Sequence, residues 1–117
     1  MRYKEKVMGL TKSEIFSDEQ NRLSSLFKVL AHPARIAILQ YIINQKACIC
    51  NALVEELGLA QATISQHLKE LKNIGIIQGT IEGKSVCYCI DENIWKEIQA
   101  ELNTFFNQEV QVTKCCT

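Results

Sequence analysis

Six cysteines fall in three close pairs along the chain: Cys48 with Cys50, Cys87 with Cys89, and Cys115 with Cys116. Spacings of C-x-C, C-x-C and C-C suit chelation of a soft ion or redox chemistry better than the stapling of a long loop. The first pair lies in Ala47-Cys48-Ile49-Cys50-Asn51-Ala52-Leu53-Val54-Glu55-Glu56-Leu57, whose second half reads as an amphipathic helix. Cys48 then stands where a helix normally carries Ser, Thr, Asp or Asn as a cap. Inside a helix, residues i and i+2 point about 200° apart and share no ion. A cap residue is not helical, so Cys48 is expected to swing toward Cys50, and the helix N-terminus favours the thiolate.

Cys87 and Cys89 fall on a predicted strand, where alternate residues share a face. They form a lower-ranked ligand pair. Cys115 and Cys116 sit on the polar end "NQEVQVTKCCT", expected to be a mobile tail that can deliver a further thiolate, hold a separate site, or do neither.

These thiols are expected to be reduced. The N-terminus, MRYKEKVMGLTKSEIF, lacks the apolar core and cleavage site of a secretory signal. No segment approaches the ~20 apolar residues that a membrane helix needs. The expectation is a cytoplasmic chain with no membrane partner. Its 117 residues, 47% of them hydrophobic, fit one globular domain. Formal net charge is zero, so any case for nucleic acid rests on a local surface.

The elements that must position the cysteines follow from periodicity. Residues 1–16 read as an arm, 17–107 as one folded domain and 108–117 as the Cys-containing tail. Ser17 and Gln20 form a capping-box pattern before a helix whose stripe is Leu23, Leu26, Phe27 and Leu30. His32-Pro33 opens a second helix with Ile36, Leu39, Ile42 and Ile43 on one side. A third helix is expected from about Ile49 to Leu57, closed by Gly58. A fourth carries Ile64, Leu68 and Leu71 and ends near Gly75.

The period then changes to two over residues 76–90, with Glu82-Gly83-Lys84-Ser85 as a hairpin turn. Asp91 caps a last helix bearing Ile94, Trp95, Ile98, Leu102, Phe105 and Phe106. The predicted class is mainly α with a β-hairpin wing, a winged helix-turn-helix. So apolar a last helix is expected to form a homodimer interface with the first, the alternative being that it packs on the first helix of its own chain.

With Ile64, Leu68 and Leu71 inward, the fourth helix turns Gln61, Thr63, Ser65, Gln66 and Lys69 outward. Gln pairs bidentately with adenine, Ser and Thr reach bases or phosphates, and Lys neutralises phosphate. Lys84 at the hairpin tip and Arg35 near the start of the second helix are expected to add phosphate contacts. His67 is read either as a phosphate contact or as a partly buried structural residue.

The blocks "LFKVLAHPARIAILQYI", "LVEELGLAQATISQHLKELKNIGII" and "EGKSVCYCI" resemble the ArsR/SmtB family of metalloregulatory repressors over roughly residues 18–106. The resemblance implies a homodimeric winged-helix protein, not an enzyme, that occupies double-stranded operator DNA. It leaves the DNA when a metal, a metalloid or an oxidant acts on it. Ala60 departs from the family's frequent Ser at the recognition-helix cap. The arsenic-responsive branch carries C-x-C followed by another Cys three residues on, where this chain has Leu53. With Cys48 and Cys50 as the primary ligands of As(III) or Sb(III), a third thiolate is then borrowed from elsewhere, or two suffice. The zinc-sensing branch uses His on the last helix, which has none here.

The reading is therefore a thiol-based As(III) or Sb(III) sensor with no organic cofactor. The rivals are the same repressor sensing Cd(II), sulfide or redox state, and, in another class, a thiol carrier or oxidoreductase that binds no DNA. No C-x-x-C motif or phosphate loop supports that last class.

Overall fold

The computed structural model describes residues 12–49, 53–80 and 87–113. Cys50, Lys84, Cys115 and Cys116 lie outside these described residues. A short helix α1 (Lys12–Ile15) occurs within the segment expected to be an arm. Helix α2 (Asp18–Leu30) begins with the capping box: Gln20 N–H donates to Ser17 Oγ at 3.1 Å and Ser17 N–H donates to Gln20 Oε1 at 3.0 Å. Leu26 is fully buried, while Leu23, Phe27 and Leu30 are half-buried.

Helix α3 (Pro33–Gln45) starts at the proline, with Ala34 N–H donating to His32 Nδ1 at 3.2 Å. Its core face differs from the expected one. Ile38 joins Leu39 and Ile42 in the core, whereas Ile36 and Ile43 are 40% and 43% exposed. The reason is that α3 packs on four neighbours, so its buried sector turns toward them and away from a single stripe. Ile36 and Ile43 line an apolar groove of about 280 Å³ together with Leu30, Trp95 and Leu102.

The larger correction concerns the segment around Cys48. Helix α4 spans Leu53–Leu57 and does not reach back to Ile49. Ile49 is in an isolated antiparallel bridge with Tyr88. Ile49 N–H donates to Tyr88 O at 2.8 Å, and Tyr88 N–H donates to Ile49 O at 3.0 Å. A β-branched residue against an aromatic one is a favoured cross-strand pair. Both are buried, at 6% and 2% exposure. Cys48 therefore precedes a bridge residue and does not cap a helix, and the expected swing about an N-cap does not apply. Leu53, which stands where a third thiol was sought, is 2% exposed in the core.

Gly58, at φ 67°, closes α4 with its N–H on Val54 O at 3.0 Å. Helix α5 (Gln61–Asn73) follows, with Ile64, Leu68 and Leu71 buried as expected. Strands β1 (Ile77–Thr80) and β2 (Cys87–Ile90) pair antiparallel, Ile77 with Ile90 and Thr80 with Cys87. Gly79, at φ 123°, allows the strands to approach. A Cβ there would lie 2.2 Å from Cys87 O.

Helix α6 (Glu92–Phe106) is capped by Asp91, whose Oδ1 accepts the N–H groups of Asn93 and Ile94 at 3.1 Å each. Ile98 is buried. Phe27 of α2 meets Phe105 and Phe106 edge-on, with ring centroids 6.0 Å away in each case. Arg22 Nε and Glu101 Oε1 form an ion pair at 3.2 Å. The first long helix and the last thus pack on each other within one chain. Among the described residues, no single helix is long and apolar enough to cross a membrane.

Candidate nucleic-acid interface and thiol edge

Helix α5 presents its polar residues much as its periodicity requires. Gln61, Thr63, Gln66 and Lys69 are exposed and Ser65 is half-buried. Two side-chain bonds order this row: Gln61 Nε2 donates to Ser65 Oγ at 3.2 Å, and Gln66 Nε2 donates to Glu70 Oε1 at 3.3 Å. The helix begins without a side-chain cap bond from Ala60, so its first N–H groups are left for solvent or an anion. At the other end Lys72 Nζ donates to Gly79 O at 2.7 Å, tying α5 to the first strand of the hairpin. Nothing in the sequence pattern announced that tie, because Lys72 looks like any exposed helix lysine.

His67 is buried and Arg35 half-buried. His67 is 7% exposed, and its Nδ1 accepts from Arg35 Nε at 3.1 Å. Arg35 Nη1 also donates to Val29 O at 3.1 Å. Arg35, expected only as a phosphate contact, thus forms a clamp joining α2, α3 and α5, and His67 takes the structural one of its two readings. The His32 ring stands edge-on to His67, with centroids 4.3 Å apart. Burial lowers the His67 pKa below its ordinary 6.5, repulsion by His32 and Arg35 lowers it further, and Glu70 opposes. Neutral His67 suits the bond it accepts.

The cysteines are arranged differently from the sequence pairing. Cys48 and Cys87 are exposed and Cys89 is half-buried, all three as thiols. The bridge between Ile49 and Tyr88 places Cys48 next to Cys89 across the sheet. Both line one cavity of about 550 Å³, whose wall also includes Lys46, Gln78, Asp91 and Glu92. Gln78 Nε2 lies 3.9 Å from Cys89 Sγ. Cys87 is beyond Tyr88, opposite Thr80. Among the described residues, no three His, Cys, Asp or Glu side chains gather to hold a metal ion. A usable signal was present in the sequence: Cys-Ile-Cys and Cys-Tyr-Cys are both period-two patterns, as two paired strands would show.

Helices α3, α4 and α5 followed by a hairpin, with a polar row on α5 and a basic tie to the strand, define a winged helix-turn-helix protein. Residues 32–78 match the model of a family described as "Bacterial regulatory protein, arsR family". The chain is 34% identical over 82 residues to the HTH-type transcriptional regulator MJ1325 of Methanocaldococcus jannaschii, covering 69% of this chain and 91% of that protein. It is 30% identical over 100 residues to the cadmium resistance transcriptional regulatory protein CadC of Listeria innocua, covering 85% and 82% respectively.

The regulator Rv0081 of Mycobacterium tuberculosis is 33% identical over 67 residues, a match spanning 57% of this chain and 59% of that protein. Its crystal structure superposes with a TM-score of 0.59 at 24% identity, covering 79% and 93% of the two chains, which shows the shared fold. The chain belongs to the arsR family of bacterial regulatory proteins.

Proposed function

We propose that this chain is a homodimeric transcriptional repressor that holds operator DNA through α5 and its wing and releases it when a thiophilic metalloid, As(III) or Sb(III), binds its cysteine thiolates. The observation that carries the reading is the ordered row of Gln61, Thr63, Ser65, Gln66 and Lys69, standing out from a helix whose opposite face is buried. Short polar side chains near the start of a recognition helix meet base edges, and lysines neutralise phosphate. Lys84, which falls between the two strands in sequence, is included in the proposal as a phosphate contact. Exposed Phe105 and Phe106, with the groove lined by Ile36 and Ile43, support a second copy as the cover of the last helix.

Cys48 supports the sensing half of the proposal. It precedes the segment that leads into α4, and α4 packs directly on α5. An ion drawn to Cys48, with Cys50 and a tail thiol from Cys115 or Cys116 as further donors, would shift that segment and with it the recognition helix. A coupling of about 1–3 kcal/mol, or roughly 5- to 150-fold in affinity, is the ordinary range for such a device.

The similarity to CadC favours one second reading, in which Cd(II) is the inducer. The test is a titration of reduced protein on its own upstream DNA, followed by fluorescence anisotropy across a salt series. Salt-sensitive, sequence-selective binding that arsenite or antimonite reverses is the expected result. Release by Cd(II) alone transfers the role to the second reading. Release by an oxidant or polysulfide alone makes the protein a redox sensor. Absence of any DNA binding leaves a thiol carrier and ends the repressor reading.

A further inference from the structure

We propose that the sensing unit is a cross-strand dithiol made of Cys48 and Cys89, so that the ion bridges the strand segment before α4 to the second strand of the wing. The inference rests on the metalloid reading above and deepens it, with Cys89 taking the place of Cys50 and the tail thiols as the partner of Cys48.

The geometry comes from the backbone. Ile49 and Tyr88 exchange both of their hydrogen bonds, at 2.8 and 3.0 Å, and are therefore a hydrogen-bonded antiparallel pair. The next position along such a ladder is a non-hydrogen-bonded one, where Cα atoms come to about 4.5 Å and side chains are closest. Cys48 and Cys89 flank the isolated bridge on that side, one residue beyond the bonded pair. Cysteines two apart on a single strand, such as Cys87 and Cys89, have Cα atoms roughly 6.6 Å apart. Proximity thus favours the cross-strand pair over the pair along β2.

Direction agrees with distance. Ile49 and Tyr88 send their side chains into the core, so the residues flanking them face the other way. Cys48 and Cys89 both border the cavity of about 550 Å³ between the end of α3, the sheet and the first turn of α6. That volume admits an arsenite molecule with room to spare.

The chemistry balances without an oxidant. Arsenous acid, As(OH)₃, exchanges two As–O bonds for two As–S bonds. Each departing hydroxide leaves as water with one thiol proton, and the third arsenic valence keeps its hydroxide. No electrons are transferred. Two thiolates thus make a closed site without a third protein ligand. This fits the presence of Leu53, packed in the core, where the arsenic-responsive branch has its further Cys.

The consequence is mechanical. Lys72 of α5 already holds Gly79 of β1, and β1 is paired with β2. An ion joining Cys48 to Cys89 pulls on the wing and on the approach to α4 together, and both bear on the recognition helix.

The test uses the full chain, reduced with a phosphine because thiol reductants compete for arsenite. Arsenite binding is followed by the near-ultraviolet absorption of As–S bonds and by mass spectrometry, for wild type and for Cys48→Ser, Cys89→Ser, Cys87→Ser and Cys48→Ser/Cys89→Ser. The expected result is a loss of about tenfold or more for either partner, and a double variant no weaker than the worse single one. Cys87→Ser is expected to stay within about twofold. Far-UV circular dichroism checks the fold, and Cys89→Ala serves if Cys89→Ser fails to fold. Wild type that binds no arsenite removes the metalloid reading and this pairing together. Wild type that binds, with Cys89→Ser or Cys89→Ala binding equally well, overturns the pairing alone and leaves the metalloid reading standing.

Discussion

The helix proposed to face DNA and the thiol edge occupy neighbouring parts of the fold but are held by different kinds of information. In α5, each side chain's direction follows from its place on a single helix. Ile64, Leu68 and Leu71 are buried, and that burial turns Gln61, Thr63, Gln66 and Lys69 outward whatever the rest of the chain does. At the thiol edge, Cys48 and Cys89 belong to segments distant in sequence and meet because Ile49 pairs with Tyr88. A helix face is a local property and a sheet register is not. Substitutions at the first region should therefore have effects that stay with that helix, whereas those at the second should act through strand pairing.

The largest expected effect tests the helix end. Leu71 is fully buried beneath α5, and Leu71→Ala should cost about 2–5 kcal/mol in denaturant unfolding. DNA binding and arsenite binding should both survive where the protein remains folded, if the helix face is set locally. Loss of arsenite binding alone in a folded variant would break the comparison.

Next comes the sheet. Gly79→Ala places a Cβ 2.2 Å from Cys87 O at φ 123°, so the hairpin must part or distort. The strain should cost about 1–3 kcal/mol. Because Cys89 lies on β2, the strand paired with that of Gly79, arsenite affinity should fall as well, while the α5 helix itself stays formed. Unchanged arsenite affinity with a measurably weaker fold would show that the thiols do not depend on the register.

A smaller effect comes from pH, and it concerns the helix end. Folding holds the His67 pKa below 6.5, chiefly by burial, so the unfolded chain takes up the proton more readily than the folded one. The stabilisation is present above about pH 6.5 and is lost as pH falls through that value toward the lower folded pKa. Urea midpoints measured from pH 7.5 down to 5 should decline, and His67→Gln should flatten the part of the decline that His67 causes. A His67→Gln profile parallel to wild type would refute the assignment.

The smallest is Lys69→Ala. It should weaken binding about equally on all DNA sequences and reduce the slope of log K against log salt by about 1, with stability and arsenite binding unchanged. Gln66→Ala on the same face should instead relax sequence preference, so comparing the pair separates phosphate contact from base reading.

Much of the fold could be read from the chain. The Ser17–Gln20 capping box, the Pro33 start, the Gly58 stop, the α5 stripe and the Asp91 cap all appear where local chemistry puts them. They are legible because each rests on bonds or steric limits within a few residues. The errors have one cause as well. Ile36 and Ile43 were assigned to the core, and Ile49 to a helix, from a pattern that could not show which neighbours would arrive.

The sequence by itself determined the order of elements, the polar row on α5 and the supply of thiols, since periods of 3.6 and 2.0 and the caps are written in adjacent residues. Only the tertiary structure decided which thiol stands beside which. Cys48 is two residues from Cys50 in the chain, yet the bridge of Ile49 to Tyr88 makes Cys89 its neighbour across the sheet. It also turned Arg35 and His67 inward as a clamp. Both outcomes depend on the free energy of burying Ile49, Tyr88 and the α5 core together, and no stretch of sequence holds that term alone.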